Sequence, residues 1–347
     1  MVGDGRYTKM FFVVLVGVAI IVLTEAKGRG GVRDGDGIGI VPGPDEKVFN
    51  LKDFDAVGDG ETDDVEAFMG AFRAACDHPG KARFLIPRGE FAVSQVVLAG
   101  PCKGPSPIVV QIMGTIKAVP DVSMYPEPEW LIFEHVNGLV ILGGGTVDGQ
   151  GAQVWKYADC NQNSDCARLP SSIVLKNVSN ASIRRITSLN PMGFHFFVTN
   201  SRSIRMQRLD IKAPADSPNT DGIHISSSDQ VKISRVHIET GDDCIGILQG
   251  STRLAINKVT CGPGHGISIG SLGKYEDEED VLGVQVKNCT IHDTTNGIRI
   301  KTFPFKPNII PIKAAGLLFK DISMDNVQNP IIIDQEYCGR GHSCVNG

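Results

Sequence analysis

In the second half of the chain, apolar and polar positions alternate in short runs. Examples are Ile204-Arg-Met-Gln-Arg-Leu-Asp-Ile211, Val231-Lys-Ile-Ser-Arg-Val-His-Ile238, Leu254-Ala-Ile-Asn-Lys-Val259, Val284-Gln-Val-Lys-Asn-Cys-Thr-Ile291 and Leu317-Leu-Phe-Lys-Asp-Ile-Ser-Met324. A period of two belongs to a strand with one buried face. An Asn, Asp or Lys near the middle of most runs marks a bend. Each run precedes a shorter strand: Gly222-Ile-His-Ile225, Cys244-Ile-Gly-Ile247, Gly266-Ile-Ser-Ile269, Gly297-Ile-Arg-Ile300 or Pro330-Ile-Ile-Ile333. Ile223, Ile245 and Ile267 are spaced by 22 residues, and Ile298 follows 31 later, the excess being an insertion at 272–280. A unit recurring every twenty-odd residues is one coil of a solenoid. Several short strands per coil, stacked in register, predict an all-β fold, a right-handed parallel β-helix. A β-sandwich has no need of such a period.

Upstream, positions 48–54 read as a strand and 55–62 as turns. Val65, Phe68, Met69, Phe72, Ala75 and Cys76 then share one face at helical spacing. Asp63, with Glu66 three residues on, is placed to cap this helix. A solenoid exposes its core at an open end, so a short amphipathic helix is expected to cover the first coil. At the N-terminus, Arg6 and Lys9 precede an apolar run at 10–23. That length is short for a bilayer span and typical of a signal-peptide core; Thr24 and Ala26 suit cleavage. The expected organisation is a secretory signal at 1–26, a flexible Gly- and Pro-containing leader at 27–47, and one β-helix domain at 48–347.

Composition sharpens this picture. The 347 residues include 40 glycines and only 6% aromatics, which suits many turns and thin side-chain layers. A net charge of −5 gives no sign of a nucleic-acid partner, so an anionic substrate would have to meet locally placed cations. Export permits disulfides. Nine cysteines leave at least one without an intrachain partner. Cys160/Cys166 and Cys338/Cys344 are close enough to staple single loops, and Cys244 and Cys261 would meet on neighbouring turns. Cys76/Cys102 is then the remaining pair and Cys289 the odd one, with other pairings left open. Asn177, Asn180 and Asn288 head glycosylation sequons.

The chemistry lies beside the repeated strands. Asp221, then Asp242 and Asp243, then His265, then Arg299 and Lys301 flank successive coils. Taken singly, Asp before Gly is turn chemistry and a Gly-His-Gly is a bend. Stacking coils about 4.8 Å apart, however, brings three carboxylates to one place. Carboxylates that close raise one another's pKa. Glycoside hydrolysis needs such a set, with one acid protonated and an opposing carboxylate ionised. His265 could tune the proton inventory. Arg299 and Lys301 flank Ile300 on one strand face and could receive a substrate carboxylate.

Asn219-Thr220-Asp221, Gly241-Asp242-Asp243, Gly264-His265-Gly266 and Arg299-Ile300-Lys301 resemble, in order and spacing, the four signature motifs of polygalacturonases. The runs Ser217–Ile225, Cys261–Gly273 and Ile333–Cys338, with Trp130-Leu-Ile-Phe and Gly145-Thr-Val-Asp-Gly-Gln-Gly151, extend the likeness over about 48–345. They are most similar to plant, pollen-type exopolygalacturonases. The resemblance implies a secreted cell-wall enzyme, acting as a monomer, that hydrolyses α-1,4-galacturonosyl bonds of polygalacturonate with inversion. It implies no metal or cofactor, no nucleic acid, and no membrane once the signal is removed. It implies Asp242 as general acid, Asp221 and Asp243 holding and deprotonating water, and His265 supporting the acid. Asn219, Arg299, Lys301 and Tyr337 would bind substrate. An endo-acting enzyme and a truncated, inactive pectin-binding homologue are the alternatives. The chain departs from the family pattern at Gly246 and Leu248, where relatives usually carry Ser and Gly, and it stops at Gly347, where relatives continue for further coils.

Other candidate chemistry is weaker. Asp55, Asp59, Gly60 and Glu66 fall at EF-hand spacing, but position three is Val57 and no helix enters. Gly143-Gly-Gly145 has no helix after it to make a phosphate loop. A pectate lyase would share the β-helix but use calcium and leave unsaturated sugar ends; the four hydrolase motifs argue against it.

Overall fold

The computed structural model describes residues 41–158, 168–304 and 311–337. The signal and the proposed pairs Cys160/Cys166 and Cys338/Cys344 lie outside the described residues. Among the described residues every strand ladder is parallel, each strand pairing with those one coil before and after. The result is a right-handed parallel β-helix. One face is a nine-stranded sheet running from Val96–Ala99 to Asn329–Asp334. Its later members are Ile223–Ser226, Ile245–Ile247, Ile267–Leu272 and Asn296–Thr302.

The other two faces are built from the alternating runs. In one coil they are separate strands, Arg202–Gln207 and Asp210–Lys212. In the next, the single strand Asp229–Glu239 pairs with both, and Thr252–Cys261 and Val281–His292 follow it. The expected bends are single left-handed residues: Arg235 (φ 54°), Lys258 (φ 56°), Asn288 (φ 53°) and Asp321 (φ 56°).

Ile223, Ile245, Ile267 and Ile298 pair directly down the nine-stranded sheet. All four are buried, so the sequence period becomes an apolar spine. Each such side chain contributes roughly 1.5–3 kcal/mol of burial. Ile331 continues the register from Ile298 but is 73% exposed. The extra residues of the 31-residue interval lie in the loop 273–280, just after a one-residue shift of pairing between Ile269 and Leu272. The Glu278 carboxylate closes that loop by accepting from the amides of Gly273, Lys274 and Tyr275.

The helix spans Val65–Asp77. Phe68 and Phe72 pack edge-on against Phe84, Phe91 and Phe133, covering the first coils. The Cys76–Cys102 disulfide ties down its C-terminal end. Three details differ from expectation. The first strand is Glu46–Asn50, so it starts inside the segment read as leader. It ends early because the Asn50 side chain accepts from the Lys52 amide, turning 51–54 into a 3-10 helix. The N-cap position is Asp64, but its carboxylate accepts from the amides of Val57 and Gly58 and makes no cap bond, and Asp63 is the side chain that meets the first helical amide. Asp63 accepts from Val65 and Ser94, and Asp59 from Glu61 and Thr62. Of the acids at EF-hand spacing, Asp59 is thus occupied by backbone amides.

Candidate active site

The middle residue of each repeated strand faces outward, and pairing aligns these residues as His224, Gly246, Ser268 and Arg299. The acids lie just before the same strands. The Gly222 amide donates to the Asp243 carbonyl at 2.9 Å, and the His265 amide to the Asp242 carbonyl at 2.8 Å. Coil stacking therefore gathers the ionisable groups along one groove. The Cys244–Cys261 disulfide follows directly on the acid pair and braces its coil.

Asp243 is buried and fully engaged. Ser268 Oγ and Arg299 Nη2 each donate to its Oδ1 at 2.7 Å, and Lys301 Nζ donates to Oδ2 at 3.0 Å. Arg299 Nε also donates to Ser268 Oγ at 3.0 Å. Both cations expected to face substrate are bound to this carboxylate. Lys301 is itself 7% exposed, with its Nζ 5.4 Å from the Tyr337 ring centroid. Tyr337 also meets Phe303 edge-on at 5.5 Å. Asn219 stands two residues before Asp221, exposed and left-handed (φ 54°), a conformation asparagine adopts more readily than most side chains.

Asp242 and Asp221 each pair with an imidazole. His265 Nδ1 lies 3.1 Å from Asp242 Oδ1, and the same oxygen accepts from the Asp243 amide at 2.7 Å. His224 Nδ1 lies 2.8 Å from Asp221 Oδ2. The His224 ring is stacked on Phe194 with centroids 4.0 Å apart and meets Phe197 edge-on. Gly246 makes room for this second pair: a Cβ there would sit 2.9 Å from Asp221 Oδ2 and 3.2 Å from His224 Nδ1. This is one of the two positions expected from sequence to depart from the family pattern. The other, Leu248, is half-buried just beyond the same strand.

The environments drive the acids apart. Burial, reinforced by the Asp242 charge, pushes the Asp221 carboxyl up to about 6 despite the hydrogen bond from His224. Burial also works to raise Asp242. There the His265 hydrogen bond and charge, the Asp243 amide and Lys301 outweigh it and hold the carboxyl below its ordinary range. The Asp242 hydrogen bond raises His265, against the opposing effect of burial. In the unliganded site, mildly acidic pH therefore favours a proton on Asp221 and an Asp242–His265 ion pair.

Donor atoms of Asp242, Asp243 and His265 lie within 4.8 Å of one another, close enough to hold a metal. The donor set does not suit one: both Asp243 oxygens are taken, and Arg299 and Lys301 would stand against the incoming cation. Sequence reasoning did not single out His224 or Ser268 as parts of this site, and it noted Gly246 only as a departure from the family pattern. The signal was their place, each being the middle residue of a repeated strand. Among the described residues no helix is long and apolar enough to cross a membrane.

The chain is similar to known proteins. Over 294 residues the chain is 45% identical to exopolygalacturonase clone GBGE184 of Arabidopsis thaliana, covering 85% of this chain and 68% of that one. It is 45% identical to an exopolygalacturonase of Platanus acerifolia over 85% of this chain and 76% of that one. The solved endo-xylogalacturonan hydrolase of Aspergillus tubingensis superposes with a TM-score of 0.67 at 26% identity, over 83% of this chain and 77% of that one. The model of glycosyl hydrolases family 28 matches residues 76–347, a span that holds all three acids, both imidazoles and both cations, and the chain belongs to that family.

Proposed function

We propose that this chain is a polygalacturonase that hydrolyses α-1,4-galacturonosyl bonds with inversion, working from a chain end in the plant cell wall. The observation that carries the reading is the division of labour among three neighbouring carboxylates. Asp243 is neutralised by two cations, Asp242 is tied to an imidazole, and Asp221 is buried with a raised pKa. The names of two relatives, both exopolygalacturonases at 45% identity, support the exo mode, and the apolar run at 10–23 supports export.

The chemistry follows from these environments. A uronate arriving at Arg299 and Lys301 competes with Asp243 for both cations. Its negative charge beside Asp242 favours the protonated carboxyl there. Asp242 then gives its proton to the departing glycosidic oxygen while water attacks the anomeric carbon from the opposite face. Asp221, ionised at pH above about 6, takes the proton from that water. Asp243, whose oxygens are already paired, orients the water and the cations. His265 supplies Asp242 with a partner that can hold or return a proton.

Product sizes from polygalacturonate over time test this reading. Monomer released alone supports it, mixed oligomers indicate internal cleavage, and unsaturated ends or chelator sensitivity indicate a lyase. Asp242→Asn is expected to lower turnover about a thousandfold while polymer binding persists. Wild-type rates in that variant, or no release of reducing ends by the wild type, overturn the assignment.

A further inference from the structure

In the coils from Asn177 onward, the chain bends on left-handed residues at three recurring positions. One corner is filled by Asn177, Asn200, Ser227 and Gly250, and a second by Asn180, Ser203, Gln230, Arg253 and Gly283. These are mostly small or amide residues, as the conformation favours. The one cation, Arg253, is bound to Asp229. The third corner has the same backbone and a different filling. Arg185, Arg208, Arg235 and Lys258 occupy it on four successive coils, before Asn288 and Asp321 take the position. The backbone does not require basic side chains there, since the other corners manage without them.

Neighbouring outward positions add to the row. Arg205 pairs with Lys232 in register, and Lys287 with Lys320. Arg205, Lys232, Arg235 and Lys258 are exposed, and among the described residues none of them is ion-paired. This concentration occurs in a chain whose net charge is −5. The corner joins the two faces that do not carry the acids, so it is separate from the groove.

We propose that this cationic ridge is a second binding surface for a linear polyuronate, one that holds the polymer while the groove acts on it; the choice of ligand rests on the hydrolase reading above. Cations repeat along the solenoid axis about every 4.8 Å. An anionic polysaccharide with a carboxylate on each sugar presents a matching line of charge, and a methyl-esterified chain does not. Two attachment points on one polymer raise the effective concentration of cleavable bonds at the groove. The ridge therefore favours long substrates over short ones and weakens with salt.

The test is the variant Arg205→Gln, Lys232→Gln, Arg235→Gln, Lys258→Gln. Gln230 already occupies a left-handed corner at φ 56°, so the fold should accept glutamine at these turns. The variant is expected to leave immobilised polygalacturonate at lower salt, with affinity for long polygalacturonate down about tenfold. Its turnover of a galacturonate trimer should stay within about twofold of wild type, because the groove is untouched. Retention on a fully methyl-esterified gel should be unchanged. Unaltered elution from polygalacturonate overturns the proposal. So does an equal loss of binding to dextran sulfate or to phosphatidylserine vesicles, which marks a general anion surface. A wild type that binds through the ridge but cleaves nothing sinks the hydrolase reading and leaves the ridge standing.

Discussion

His195 makes the folded chain sensitive to acid. Its side chain is fully buried, with Nδ1 2.8 Å from Ser188 Oγ. Among the described residues its Nε2 has no partner, and neither has Ser172 Oγ. Burial pulls the imidazole down to about 3. The folded protein therefore keeps this ring neutral, whereas the unfolded chain protonates it below about 6.5. Stability is lost as pH falls from about 6.5 toward 3 and levels off below that. Each pH unit in that window is worth about 1.4 kcal/mol, so the loss is about 2 kcal/mol at pH 5 and at most about 5 kcal/mol at pH 3. Asp221 acts in the opposite sense: its raised carboxyl favours the folded state as pH falls through about 6. The wild-type profile mixes the two effects, and His195→Gln separates them because glutamine does not titrate. Urea unfolding followed by circular dichroism at pH 7 and pH 5 is the assay. Between these values the variant should lose about 2 kcal/mol less stability than wild type. Identical pH dependence in the two proteins would refute the argument, whatever the variant costs at pH 7.

The other predictions concern the groove and its braces. His224→Leu removes the hydrogen bond that lowers Asp221 and should move the acidic limb of kcat/KM to higher pH; an unmoved limb would separate His224 from the base. Gly246→Ser should give a shift of the same sign, since its Cβ meets Asp221 and His224, and a crystal structure would show whether the pair parts. Arg299→Gln should weaken binding of polygalacturonate more than of its methyl ester; equal losses would exclude carboxylate recognition. Replacing Cys244 and Cys261 together with serine should destabilise the fold by about 3 kcal/mol in urea, for a bridge spanning 17 residues.

The coil was legible in the sequence because its physics is periodic. Identical isoleucines at 22-residue spacing have few ways to be buried other than above one another, and that stacking also brings together ionisable groups beside each strand. The Cys244–Cys261 bridge followed from the same spacing. The helix was legible from Phe68 and Phe72, and Asp63 does meet its first amide, but the position of Asp64 at the cap was not legible, because its carboxylate is held by amides of another segment, those of Val57 and Gly58. The binding of Arg299 and Lys301 to Asp243 crosses more than 50 residues and depends on side-chain reach. The opposite shifts of Asp221 and Asp242 depend on burial and on which imidazole faces which acid. Lysine and asparagine at the bends were read from sequence as turn formers, the arginines were not, and their alignment into one charged ridge required the register.

Because His224, Gly246, Ser268 and Arg299 occupy one aligned file, the groove is written with a single letter per turn. Beneath it the isoleucines stay the same while the letters differ. A new preference for sugar decoration or chain length can therefore arise by changing one letter, with the hydrocarbon interior left alone. Inserting or deleting a whole turn would lengthen or shorten the word by one place.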